Sequence, residues 1–141
     1  MIRRANLNDA SAIQQLNAQE LGYDYDLIDT AKQLRSLLQQ EEHAIFVAEE
    51  AGKVKGYIHA CTYVLTYSDP MKDILGIAVA KEARRNGFGK SLLQAVELWG
   101  KEDGCCGIRL VSGAKRIEAH VFYQTCGYES SKEQLNFKKW I

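Results

Sequence analysis

A glycine-punctuated basic run, Arg84-Arg85-Asn86-Gly87-Phe88-Gly89-Lys90-Ser91, lies between a strand-like stretch at 74–79 and a helix-like stretch at 91–103. That placement constrains the chain more than any other feature. A turn that opens a helix presents several backbone N–H groups with no intrahelical partner. The helix dipole adds partial positive charge at the same end. A phosphate or pyrophosphate suits such a place. Gly87 and Gly89 have no Cβ, so a bulky ligand can approach the main chain closely. Arg84, Arg85 and Lys90 add full positive charges.

Three phosphate-loop patterns compete for these residues. A P-loop ends in Gly-Lys-Ser/Thr, as here, but needs a first glycine where Arg84 stands. A dinucleotide fingerprint needs a third glycine where Leu92 stands. The pattern Arg/Gln-x-x-Gly-x-Gly/Ala is matched in full by residues 84–89. The bland alternative is a basic turn that only caps a helix.

A chain of 141 residues is normally one domain, 1–141. Its 18 basic and 18 acidic residues cancel, which argues against a general nucleic-acid binder but leaves room for a local basic patch. Cys61, Cys105, Cys106 and Cys126 form no Cys-x-x-Cys pair, and no His/Cys cluster has zinc spacing. Reduced thiols and no metal are expected. No apolar run approaches the ~20 residues of a membrane span, and the N-terminus has no hydrophobic signal region. The expectation is a cytoplasmic protein without a membrane partner.

Periodicity gives the element order. A strand is expected at 2–5, then a helix capped by Asn8 or Asp9, with Ala12, Ile13 and Leu16 on one face and Gly22 as its stop. A polar-aromatic segment, Tyr23-Asp24-Tyr25-Asp26, precedes a second helix at 30–40 with Asp29 as cap. Strands at 44–49 and 54–64 flank the hairpin signal Ala51-Gly52-Lys53. Pro70 marks a loop, and a strand follows at 74–79. Leu92, Leu93, Val96 and Trp99 stripe the third helix. A strand at 108–111, a fourth helix at 116–126 stopped by Gly127, and a final strand at 135–140 complete the chain. The resulting order, β-α-α-β-β-β-α-β-α-β, is an α/β fold with about four helices on one mixed sheet, antiparallel before Pro70 and a parallel crossover over 74–112.

A second motif runs from Ser112 to Tyr128, with Ala119, Phe122, Tyr123, Gly127 and Tyr128 in the pattern Ala-x-x-Phe-Tyr-x-x-x-Gly-Phe/Tyr. Together the two motifs resemble the GNAT superfamily of N-acetyltransferases, most clearly over 74–128. Arg116 and Ala119-His120 are similar to a branch that includes aminoalkylphosphonate N-acetyltransferases.

The resemblance implies the GNAT fold, in which the strands at 74–79 and 108–112 splay and coenzyme A lies between them. Acetyl-CoA would be the acetyl donor and a small amine the acceptor; a homodimer is compatible. By the same likeness, Ile77, Ala78 and Val79 would line the pantetheine. Main-chain N–H groups from Arg85, Asn86, Gly87, Phe88, Gly89, Lys90 and Ser91 would hold the pyrophosphate, with Arg84 adding charge. Tyr123 would assist the departing thiolate, although an aromatic packed in the core fits the same pattern. Many relatives carry a glutamate base where this chain has Gly76. Asp73, Glu82, His59 and His120 stand as substitutes, acting directly or through water, and His43 is expected at the surface. Tyr23-Asp24-Tyr25-Asp26 would suit a cationic acceptor or be an ordinary solvated loop. The other readings are a protein N-terminal or lysine acetyltransferase, and an acyl-CoA-binding module without turnover.

Overall fold

The computed structural model describes residues 1–141 throughout. The chain forms two units, Met1–Leu110 and Val111–Ile141. The first contains β1 (Ile2–Arg4), α1 (Ala10–Glu20), α2 (Leu27–Leu38), β2 (His43–Glu50), β3 (Lys53–Leu65), β4 (Ser68–Val79), α3 (Phe88–Glu102) and β5 (Ile108–Leu110). The second contains α4 (Ile117–Thr125). The strands lie side by side in chain order. The first three pairings are antiparallel, and β4 with β5 is parallel. That mixed pairing is the one the sequence predicts, with five strands in place of six.

The β2–β3 hairpin turns on Ala51 (φ 51°) and Gly52 (φ 76°). Two left-handed residues make the mirror-image turn whose twist matches that of the strands. Cross-strand partners share a sheet face, so Val47, Tyr57 and Ala78 line one side in register. There they pack with Ile45 and with Ile13, Leu16 and Leu34 of α1 and α2. The opposite face buries Ile58, Ala60 and Ile74. It meets α3, whose Leu92, Leu93, Val96 and Trp99 are buried along one stripe. Gly56 belongs to that face, and a Cβ on it would sit 2.9 Å from the Ala78 carbonyl oxygen and 3.4 Å from Leu92.

Several boundaries differ from expectation for local reasons. Asp9 holds the N-cap position of α1 as expected but makes no capping bond to it; the side-chain cap is made by Asn6, on a 3-10 turn (Leu7–Asp9) ahead of the helix. The Asn6 side chain accepts from the Asn8 N–H, and the Asp9 carboxylate accepts from the Asn6 N–H. Asp26 takes the role expected of Asp29, accepting the Asp29 N–H at 2.8 Å, so α2 begins three residues early. Pro70 lies inside β4 rather than before it. Leu65 pairs with Ser68 and Tyr63 with Met71, leaving Asp69 and Pro70 out of register; a proline lacking its N–H is tolerated at such an irregularity. The strand expected at 135–140 does not form: residues 129–141 carry no regular secondary structure, and Leu135, Phe137 and Trp140 are exposed. Leu135 and Phe137 alternate with Asn136 and Lys138 as a strand would, but alternation without a paired edge makes no ladder.

Within the second unit, α4 ends on Gly127 at φ 92°. The Tyr128 N–H donates to the Tyr123 carbonyl at 2.9 Å and the Gly127 N–H to that of Gln124 at 3.0 Å. These are the two bonds of a Schellman stop. The rings of Tyr123 and Tyr128 meet edge-on with centroids 6.3 Å apart, the side-chain contact that accompanies it.

The base of β4 is pinned by a buried charge. Lys72 is fully buried. Its ammonium donates to Thr62 Oγ1 at 2.9 Å and to Asp103 Oδ2 at 2.6 Å, and it lies 3.5 Å from the centroid of Trp99. Removing one partner of such a pair strands a charge, whereas an apolar replacement does not. Asp103 is itself half-exposed, so Asp103→Ala is expected to cost about 2 kcal/mol, the worth of a hydrogen bond to a charged group, and Lys72→Met less than about 1 kcal/mol. Urea midpoints at constant m-value check the ranking.

Candidate active site

β4 changes character at Leu75. Ile74 pairs with Ala60 and Gly76 with His59, so Leu75 is an extra residue with no partner across the ladder. Such a bulge bends its strand. At the same point β4 loses β5, because the parallel pairing covers only Lys72, Ile74 and Asp73 between them, opposite Ile108, Arg109 and Leu110. From Gly76 to Val79, β4 is paired on its β3 side alone.

The freed edge has a defined polarity. The Ala80 N–H donates to the Lys55 carbonyl at 2.8 Å, toward β3. Alternation along an antiparallel ladder directs the Ala78 backbone to β3 as well. Ile77 and Val79 then point their N–H and C=O groups away from β3, into the gap left by β5. Ala78 itself is buried.

The chain leaves this edge through a short 3-10 turn (Lys81–Ala83) and enters the glycine loop. Arg85 and Gly87 both adopt left-handed backbones, at φ 68° and 79°. Only Gly does so without steric cost, and for Arg85 the conformation costs about 1 kcal/mol. Gly87 is the N-cap of α3, with no side chain capping the helix. The Ser91 N–H reaches the Gly87 carbonyl at 3.0 Å, which leaves the N–H groups of Phe88, Gly89 and Lys90 ahead of the first intrahelical bond. The helix begins three residues before the position read from periodicity, so Phe88, Gly89 and Lys90 lie within its first turn. Lys90 is exposed. Arg84 is committed: its guanidinium donates to Glu20 Oε1 at 2.6 Å, and Glu20 Oε2 also accepts the Lys81 N–H at 3.1 Å. Glu20 thus ties the loop to α1 and offsets one of its charges.

The second unit carries Tyr123, buried against Phe122 with ring centroids 5.4 Å apart. Burial pushes its phenol pKa up, opposed by the charge of Arg116. Arg116 is exposed at the N-cap of α4. Ser112, which the sequence reading did not single out, has its hydroxyl buried with no hydrogen-bond partner. Its only sequence signal is that it opens the second motif. The four cysteines are free thiols, and no cluster of three potential metal ligands occurs.

The residues offered as bases occupy different settings. Asp73 is paired with Arg109 at 3.0 Å, and the same guanidinium stacks over Tyr63. Burial raises the Asp73 carboxyl pKa, against the lowering effect of that arginine. Glu82 is exposed on the 3-10 turn. His120 places Nε2 2.8 Å from the Gly113 carbonyl, a structural bond. His43 is half-buried rather than at the surface, because its Nδ1 lies 2.9 Å from Nε2 of His59.

The Acetyltransferase (GNAT) domain profile matches residues 41–130. The chain belongs to the GNAT acetyltransferase family. It is 31% identical over 142 residues to an aminoglycoside N(6')-acetyltransferase type 1 of Stenotrophomonas maltophilia, covering 97% of this chain and 91% of that one. A crystal structure of a transcriptional regulator from Bacillus halodurans superposes with TM-score 0.90 at 22% identity over 99% of both chains. AAC(6')-Iy in complex with the bisubstrate analogue CoA-S-monomethyl-acetylneamine superposes at 0.87 with 23% identity, over 100% of this chain and 98% of that one. At such identities the superpositions speak for the fold. The GNAT chain described here is an N-acetyltransferase, and acetyl-CoA is its donor.

The free N–H groups at Phe88, Gly89 and Lys90 and the outward backbone of Ile77 and Val79 fit a diphosphate joined to an amide-bearing arm. Gly89→Glu places bulk and negative charge among those N–H groups. Titration calorimetry is expected to show acetyl-CoA affinity weakened at least ~100-fold, about 2.8 kcal/mol; unchanged affinity would remove the loop from the binding site.

Proposed function

We propose that this enzyme moves the acetyl group of acetyl-CoA directly to a primary amine of an aminoglycoside-class acceptor. The observation that carries the reading is the one-sided pairing of β4 over residues 76–79, followed through a short turn by an uncapped helix start. Main-chain N–H groups of the loop at 85–90 hold the diphosphate, and Ile77 and Val79 pair with the amides of the pantetheine arm as an added strand would. The relatives named as aminoglycoside acetyltransferases support the acceptor class. So does the chain's own connection between α1 and α2, where Tyr23, Asp24, Tyr25 and Asp26 are all exposed. Aromatic faces and carboxylates suit a polycation. An aminophosphonate would instead call for basic partners. The reaction needs neither nucleic acid nor membrane and is placed in the cytoplasm.

The amine has a pKa near ~10 and must shed a proton before attack. N–H groups of the opened strand stabilise the tetrahedral oxyanion as it forms. The C–N bond forms, the C–S bond breaks, and the sulfur takes a proton. Tyr123 serves that last step. Its raised pKa keeps the phenol protonated. A phenol is a weaker acid than a thiol of pKa ~8.5, so its contribution is a hydrogen bond to the sulfur as charge develops.

Thiol release from acetyl-CoA is expected with aminoglycosides that carry a 6'-amine and not with those that carry a 6'-hydroxyl; equal rates would reject the acceptor assignment. Tyr123→Phe should lower kcat by about 10-fold, roughly the worth of one hydrogen bond, with acetyl-CoA affinity intact. Asp24→Asn with Asp26→Asn should raise KM for the acceptor roughly fivefold by removing two exposed charges. Asparagine caps a helix as well as aspartate does, so α2 is preserved in that variant.

A further inference from the structure

His59 is the cross-strand partner of Gly76, so its imidazole rises from the same sheet face one strand away. That glycine marks the start of the one-sided stretch of β4. A Cβ at Gly76 would meet only the Tyr57 hydroxyl, at 3.5 Å, so the space over it is open. His59, Gly76 and Cys61 all keep part of their surface accessible. On the inner side, Nε2 of His59 lies 2.9 Å from Nδ1 of His43, with ring centroids 5.1 Å apart. No other hydrogen bond is made by either ring, which leaves Nδ1 of His59 free to accept.

From this geometry, and resting on the acetyl-transfer reading above, we infer that the His59–His43 pair is the proton acceptor for the amine, with His59 the catalytic residue and His43 a relay that positions it. The alternatives on this face are already engaged. Asp73 is held by Arg109, the Cys61 thiol is kept protonated by burial, and the Tyr57 hydroxyl donates to Asn17 of α1. No side chain of α1 or α2 hydrogen-bonds either ring.

The direction of transfer follows from tautomers. His59 holds its proton on Nε2 and donates it to Nδ1 of His43. The substrate ammonium gives a proton to Nδ1 of His59 while the Nε2 proton passes to His43. Positive charge then rests on His43, which directly follows the exposed Glu41 and Glu42, and its own Nε2 proton leaves to water. The free amine attacks the thioester carbonyl. Its second surplus proton ends on the coenzyme A sulfur, so one ammonium and one thioester become one amide, one thiol and one released proton. Water exchange restores the tautomers after product leaves.

Burial and the neighbouring His43 depress the His59 pKa to about 4. The ring is therefore neutral and available at physiological pH. A base that weak could not retain a proton taken from an ammonium, which is why the handover to His43 matters.

The test begins with wild-type enzyme, acetyl-CoA and a 6'-amino aminoglycoside. Absence of thiol release there rejects the proposed aminoglycoside acceptor, separately from the base assignment. Given turnover, His59→Gln is expected to lose about 100-fold in kcat while acetyl-CoA affinity and Tm hold. Added imidazole should restore kcat to His59→Ala without changing KM for acetyl-CoA. A kcat within twofold of wild type in His59→Gln, or a loss in His59→Ala that imidazole does not relieve, overturns the assignment. Should the His59 variants not fold, His43→Asn keeps an acceptor for the Nε2 proton but cannot relay it. A kcat reduced about 10-fold supports the pair, and full activity overturns it.

Discussion

The site exists because one strand is left half-satisfied. A sheet interior normally pairs every N–H and C=O on both sides, and a buried group without a partner is costly. β4 escapes that rule from Leu75 onward, where a bulged residue bends the strand at the point where β5 stops following it. The groups thus released are a ladder waiting for an extended molecule with amides of its own. Everything else in Met1–Leu110 serves to keep that opening in place without letting the sheet come apart.

Below the opening, the anchoring is electrostatic as well as apolar. Lys72 sits on β4 just before the bulge and reaches Asp103 at the C-cap of α3. The crossover helix is thereby fastened to the strand at its far end, while its near end begins in the glycine loop. Glu20 does the corresponding task on the other face, holding Arg84 and the Lys81 N–H against α1. The loop's shape is therefore fixed by side chains that need not touch the ligand.

Much of this was legible from residue order. The helical stripe of α3, the hairpin at 51–52 and the loop at 84–91 follow from local periodicity and turn chemistry. The misreadings share a cause. Asn6 and Asp26 make the capping bonds expected of other residues because cap choice depends on which N–H a side chain can reach. Pro70 entered a strand because the partner strand's register slips beside it. The pairing of His59 with His43 needs a cross-strand register that no single strand reveals, and so His43 read as a surface residue. The tail at 135–140 has the alternation of a strand but finds no edge to join.

Gly56 gives the arrangement a remote adjustment. It stands on β3, behind the ligand edge, where any methyl would press within 2.9 Å of the Ala78 carbonyl and against Leu92. The Val79 side chain would lie only 3.2 Å away as well, whereas Leu92 at 3.4 Å is near ordinary contact. A single added carbon there would push β4 away from β3 at its free margin. The spacing of these two strands is thus set from the rear, by the smallness of one residue.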